Sequence, residues 1–182
     1  LLSLLKSKPG QYSFASVGTG TTGHFAGELF KRMAQVDIVH VPYKGEVPAL
    51  TGLIGGETQF MFSLPVAPGP HIKSGRLKPI AIAAPHRSPL FPELQTLDES
   101  GLPGFEATTW FGMMTRAGAP SAIVARLNEE INRILRMEDV RARLVALGME
   151  PAGGSIGESD AYIRSERAKW AKVIKDIGIV ID

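Results

Sequence analysis

Hydrophobic and polar positions alternate over "QYSFASV", residues 11–17, and the mix of Tyr, Phe and Val there predicts a strand. The next segment changes period. Phe25, Leu29 and Met33, with Ala26 and Phe30 beside them, recur at spacings of three and four and predict a helix. "VDIVHVPY" is a more continuous apolar run, of the kind buried between helices in parallel sheets. Pro48 to Ile54 can form a short helix ended by Gly55-Gly56, and "TQFMFSL" predicts a third strand. After a Pro-rich loop and a segment around His71 to Lys73, "LKPIAIAA" predicts a fourth. Strands alternating with helices in this way imply an α/β layer with parallel pairings.

Past "LDESGLPGFEATTWFGMM", which is extended and aromatic, the pattern is helical. Ile123, Leu127, Ile131, Ile134 and Leu135 mark one helix, and Val140, Leu144 and Leu147 mark a second, stopped by Gly148. A third runs from about Ile156 to Lys175, with Tyr162, Trp170 and Ile174 among its apolar positions. The start, "LLSLLKSKPG", reads as an amphipathic helix stopped by Pro9-Gly10, because it lacks a signal peptide's cleavage region. The arrangement is lopsided: the strands fall in the first part, yet three helices with apolar stripes follow, and such stripes must be buried against something.

Composition narrows the class. With 44% apolar and 21% charged residues, the 182-residue chain has the balance of a globular protein with a real core. The net charge of +2 gives no reason to expect a nucleic-acid partner, and Arg126, Arg133, Arg136, Arg141, Arg143, Arg164 and Arg167 are interspersed with acids. No apolar run approaches the ~18 residues of a membrane span. Cysteine is absent, which excludes disulfides, thiolate zinc sites and thiol catalysis.

The candidate chemistry sits in "GTGTTG", Gly18 to Gly23, between the first strand and its helix. Gly18, Gly20 and Gly23 match the spacing of a dinucleotide-binding turn. That turn also needs an acid about 20 residues on, at the end of the second strand. Here Pro42-Tyr43 occupy that end, with Asp37 before and Glu46 after the strand, so NAD binding is not expected. The loop can still hold an anion, because glycines allow amides to converge and the helix start adds unpaired donors and partial positive charge. Thr19, Thr21 and Thr22 add hydroxyls, which can equally serve only to cap the helix. His24, His40, His71 and His86 show no paired-ligand spacing, so no metal site is expected. No nucleophile elbow and no triad is visible, which argues against an enzyme. Ser63, after the third strand, lies where parallel strands deliver side chains to a cleft.

Several segments together resemble a known family: "YSFASVGTGTTGHFAGELFKRMAQVDIVHVPYKG", "PHIKSGRLKPIAIAA", "RSPLFPELQTLDESGLPGFEATTWFGMM", "AGAPSAIVARLNEEINRIL" and "RARLVALGMEPAGGS". They are similar to the tripartite tricarboxylate transporter receptors, the Bug-type periplasmic solute-binding proteins. "VPYKG" and "LPGFEATTWFG" carry the resemblance more specifically than the glycine loop does.

The resemblance implies a periplasmic-binding-protein-like α/β fold and a periplasmic receptor without catalysis or cofactor, serving membrane transporter subunits. It implies a small organic acid ligand held by Ser16, Gly18, Thr19, Gly20, Thr21, Thr22 and His24, with Tyr43 of the "YKG" loop and Ser63 nearby. Ser63 stands where many relatives carry Asp, and Glu46 where glycine is common. It further implies that residues 1–108 are an almost complete second, ligand-binding lobe. Thr109 to Met114 would then be a crossover, and 109–182 as a whole the C-terminal part of a first lobe lacking its N-terminal sheet segment. On that expectation the chain is N-terminally truncated, and a second copy or a complementing segment covers the exposed stripes. A ligand-sensing module of a regulator is the alternative that the fold alone leaves open.

Overall fold

A computed structural model describes residues 1–178. The described residues group into two compact units. One runs from Leu1 to Thr109 and is joined by the stretch beginning at Val173, and the other is Trp110–Lys172.

The first unit is a small parallel sheet with helices. Helix α1 (Leu2–Ser7) buries Leu5 and ends ahead of Pro9-Gly10. Strand β1 (Ser13–Ser16) is central, flanked by β2 (Val39–Pro42) and β3 (Phe60–Met61), giving the order β2-β1-β3 with both pairings parallel. The register sets Phe14 beside His40 and Ser16 beside Pro42 on one side, and Phe14 beside Phe60 on the other. Helix α2 (Thr22–Ala34) connects β1 to β2, and α3 (Glu46–Gly55) connects β2 to β3. The two crossovers run in opposite directions across the sheet, so right-handedness assigns their helices to opposite faces.

Helix α2 sits very close to the sheet. A Cβ at Gly27 would come within 2.0 Å of the Phe14 ring, and one at Gly23 within 2.9 Å of the Phe62 carbonyl oxygen. Its buried face is therefore His24, Ala26, Gly27, Phe30 and Ala34. Ala26 and Phe30 of the expected stripe are on it, whereas Phe25, Leu29 and Met33 lie to its side, only half-buried. Around it the core is aromatic. Phe30 meets the edges of Phe60 and Phe105 at centroid distances of 5.8 and 6.4 Å, and Phe62 stacks on Phe105 at 6.0 Å. Such edge and offset contacts add to the burial of the rings themselves.

The expected fourth strand does not form. Around Ile82 there is one isolated parallel bridge, to Thr96, and Pro79 cannot donate to a ladder in any case. The short helix α4 (Gly69–Lys73) precedes this segment. The expected crossover, Thr109 to Met114, is irregular, and Phe111, Met113 and Met114 are largely exposed.

The second unit contains α5 (Ser121–Leu135), α6 (Glu138–Ala146) and most of α7 (Ile156–Ile177). Neither α5 nor α6 has a fully buried residue, and Ile123, Leu127 and Ile134 of the predicted stripe are exposed. Polar contacts tie the loop before α7 to α5. The Asn132 side chain donates to Gly154 O and accepts from Gly154 N–H, both at 2.8 Å, while Asn128 donates to the same carbonyl at 3.0 Å. Ser155 and Glu158 then cap α7 reciprocally, Ser155 N–H donating to the Glu158 carboxylate and Glu158 N–H to Ser155 Oγ. The backbone donor holds the Glu158 carboxyl below its usual range. The last residues of the expected 109–182 segment, 179–182, lie outside the described residues.

Candidate functional site

Ligands of open parallel sheets bind beyond the carboxyl ends of the strands, where the chain reverses its direction across the sheet. In this sheet that point is the end of β1. Three loops gather there. The backbone after β1 touches the loop after β2, since Gly18 lies against the Tyr43 carbonyl, and Gly23 lies against Phe62 after β3. Tyr43 N–H also donates to Ser16 O at 2.9 Å, continuing the β1–β2 ladder into the loops.

Gly18 and Gly20 have φ of 139° and 79°, in the region that favours glycine, and this lets the loop fold back on itself. Much of its hydrogen bonding is internal. Ser16 is fully buried; its Oγ accepts from Gly18 N–H at 3.2 Å, lies 3.1 Å from Gly18 O and is 2.7 Å from His40 Nε2. Gly20 N–H donates to His24 Nδ1 at 3.1 Å, so the neutral His24 ring carries its proton on Nε2. Thr21 is the N-cap of α2, yet its hydroxyl donates to Gly18 O at 2.7 Å and caps nothing.

That diversion leaves the helix start open. Phe25 N–H makes the first helical bond, to Thr21 O at 3.1 Å. Among the described residues the amides of Thr22, Gly23 and His24 have no protein acceptor, and neither does the Thr22 hydroxyl. Three adjacent amides at the positive end of a 13-residue helix form a donor group suited to an anion. Thr19 is exposed on the loop.

Beneath the loop, His24 and His40 stack at a centroid distance of 3.9 Å with planes 11° apart. Phe14 continues the stack below His40 at 4.9 Å, and Phe25 flanks His24 at 5.7 Å. Burial lowers the pKa of His24, against a smaller opposing pull from Glu28. Burial, and then the charge of His24, lowers that of His40 to about 4. Both rings are thus neutral supports near pH 7. His40 is a member of this site that sequence reasoning missed as such; its parallel register with Phe14 was the signal that could have found it.

Tyr43 contributes its backbone to the loops, while its hydroxyl donates to Glu57 Oε2 at 2.9 Å over Gly52. Ser63 Oγ donates to Glu46 Oε1 at 2.5 Å and lies 3.0 Å from Leu64 O. The structure therefore gathers Ser16, Gly18, Gly20, Thr21, Thr22 and His24 in one turn, with the Tyr43 backbone against it. Ser63 stands on the neighbouring loop.

The sequence profile described as Tripartite tricarboxylate transporter family receptor matches residues 1–179. A Pseudomonas sp. (strain P51) protein from the tcbD-tcbE intergenic region is 37% identical over 175 residues, 96% of this chain and 52% of that one. Rpa4515 of R. palustris, solved with adipate, superposes with a TM-score of 0.87 at 34% identity, over 98% of this chain and 60% of that one. MatC from Rhodopseudomonas palustris, solved with bound malate, gives a TM-score of 0.80 at 32% identity, over 95% and 60%. The chain thus spans about half the length of the Pseudomonas relative and 60% of each solved chain.

Proposed function

The chain belongs to the tripartite tricarboxylate transporter receptor family, a family of solute-binding proteins and not of enzymes, and on that premise we propose that it captures a small organic carboxylate at the turn between β1 and α2. The observation that carries this reading is the set of unpaired amides of Thr22, Gly23 and His24, with the Thr22 hydroxyl beside them. A carboxylate fits such a donor group without a fixed cation. Adipate in Rpa4515 and malate in MatC support the ligand class. Thr19 lies on the exposed lip, while Ser16, Gly18, Gly20, Thr21 and His24 hold the turn in shape. Tyr43 and Ser63 border it.

On the same reading the protein works in the periplasm and delivers its ligand to membrane subunits of a tripartite transporter. Residues 1–108 serve as the ligand-binding lobe and 109–182 as the crossover and helices of another. The exposed Ile123, Leu127 and Ile134 support a further contact surface, for a second copy or a complementing segment. Light scattering tests the last point, with a monomer at micromolar concentration counting against it.

Calorimetry against adipate, malate and NAD tests the function. Saturable binding of an acid with none of NAD is expected. Binding of NAD without either acid would overturn the assignment.

A further inference from the structure

The two residues Glu46 and Ser63 lie on different loops, and their hydrogen bond has a geometric consequence. Glu46 is the first residue of α3, directly after β2 and its short loop, and Ser63 lies two residues beyond β3. Those strands flank β1 on opposite sides, so they are separated by two strand spacings, about 9.5 Å. A direct bond between the loops that follow them draws these two loops together on the side of the sheet where β1 ends. That end is where the glycine turn emerges. In this bond a neutral hydroxyl donates to a carboxylate and holds it in place. Among the described residues no cation pairs with Glu46. Its second oxygen, Oε2, has no protein donor either.

One rim of the turn is therefore built of donors, the amides of Thr22, Gly23 and His24, and the neighbouring loops carry a carboxylate with no cation partner among the described residues. A ligand spanning both meets opposite demands at its two ends. We infer that Glu46, positioned by Ser63, sets ligand specificity at this site, favouring an acid whose far end carries a hydrogen-bond donor such as an ammonium group over one whose far end is a second carboxylate. The inference rests on the carboxylate-binding reading above and deepens it. It separates this chain from the dicarboxylates seen in its structural neighbours, adipate and malate. A donor at the far end gains a bond to a charged acceptor, worth about tenfold to a hundredfold in affinity. A second carboxylate there gains none and is repelled.

Calorimetry with adipate and 6-aminohexanoate, which have similar lengths and differ at one end, tests this on the 182-residue chain. The wild type is expected to prefer 6-aminohexanoate at least about tenfold. Glu46→Gln removes the charge and keeps the shape, and should abolish that preference by strengthening adipate and weakening the amino acid. Ser63→Asp adds a second negative charge on the same loops and should weaken adipate further, which gives an independent reading should Glu46→Gln fail to fold. Acid binding with equal affinity for the two probes, unchanged by either variant, would overturn this inference and leave the carboxylate reading standing. Absence of any acid binding to wild type and variants alike would overturn both.

Discussion

The imidazoles of His24 and His40 stack face to face at 3.9 Å, joining the first turn of α2 to β2 beneath the glycine turn. One ring accepts the Gly20 amide through Nδ1, and the other meets Ser16 Oγ through Nε2. Both bonds belong to the architecture of the turn, so the protonation state of the pair and the shape of the turn are linked.

Acid should therefore weaken the fold through this pair. The folded His40 pKa of about 4 lies below the unfolded value of 6.5, so the unfolded chain binds more protons between those limits. The stabilisation is complete above the unfolded value, declines as pH falls below it and is exhausted near the folded value. Urea titrations at pH 7 and pH 5 should differ by on the order of 1 kcal/mol, after allowance for solvent reaching the ring. His40→Gln should flatten that difference. An identical pH dependence in the variant would show that the titration lies elsewhere.

Replacing Gly27 by Ala should destabilise the protein by about 1–3 kcal/mol, although alanine is the better helix former. The added methyl would lie 2.0 Å from the buried Phe14 ring. Gly55→Ala is the control, since nothing lies within 4 Å of its Cβ position. Thermal melts of the two variants should move apart, and equal melting temperatures would remove the close approach from the account.

The two threonines at the helix start should behave differently. Thr22→Val removes a hydroxyl without a protein partner, so it should weaken acid binding by on the order of 1.5–3 kcal/mol and leave the melting temperature unchanged. Thr21→Val removes the internal bond to Gly18 O and should cost about 1 kcal/mol of stability. Equal effects of both on affinity alone would reverse the assignment.

Much of the fold was legible, and the misses have physical causes. Helix α2 followed from spacings of three and four, and Ala26 and Phe30 of that stripe do face the sheet, but Gly27 and Ala34, which lie there too, were outside it. Periodicity weights large apolar side chains, whereas a close helix–sheet contact selects small ones. The strand expected at "LKPIAIAA" looked apolar enough, yet extends no ladder beyond the bridge at Ile82. The glycine turn was visible as a local pattern. That its free donors begin at Thr22 was not, because this depends on Ser16 and His24 engaging the Gly18 and Gly20 amides and on Thr21 turning its hydroxyl inward. The His24–His40 stack and the Glu46–Ser63 bond join residues on separate loops or elements, and only strand register reveals such neighbours.

In the second unit, Asn132→Ala should cost about 1–3 kcal/mol, because it removes the donor and the acceptor that hold Gly154. Hydrogen exchange should register this first as lost protection of the Gly154 amide. Unchanged protection there would show that the bond to Asn132 Oδ1 is not what protects this amide.

The register of β1 also says how such a chain can diversify. Phe14 and Ser16 face one way between His40 and Pro42, and adding or deleting one residue within the strand would turn both to the opposite face. Exchanging Thr22, Glu46 or Ser63 disturbs no ladder, because all three stand on ground beyond the strands. A new appetite in this chain therefore asks only for point substitutions on the loop crests, whereas any change of strand length would turn a whole face of β1 inside out.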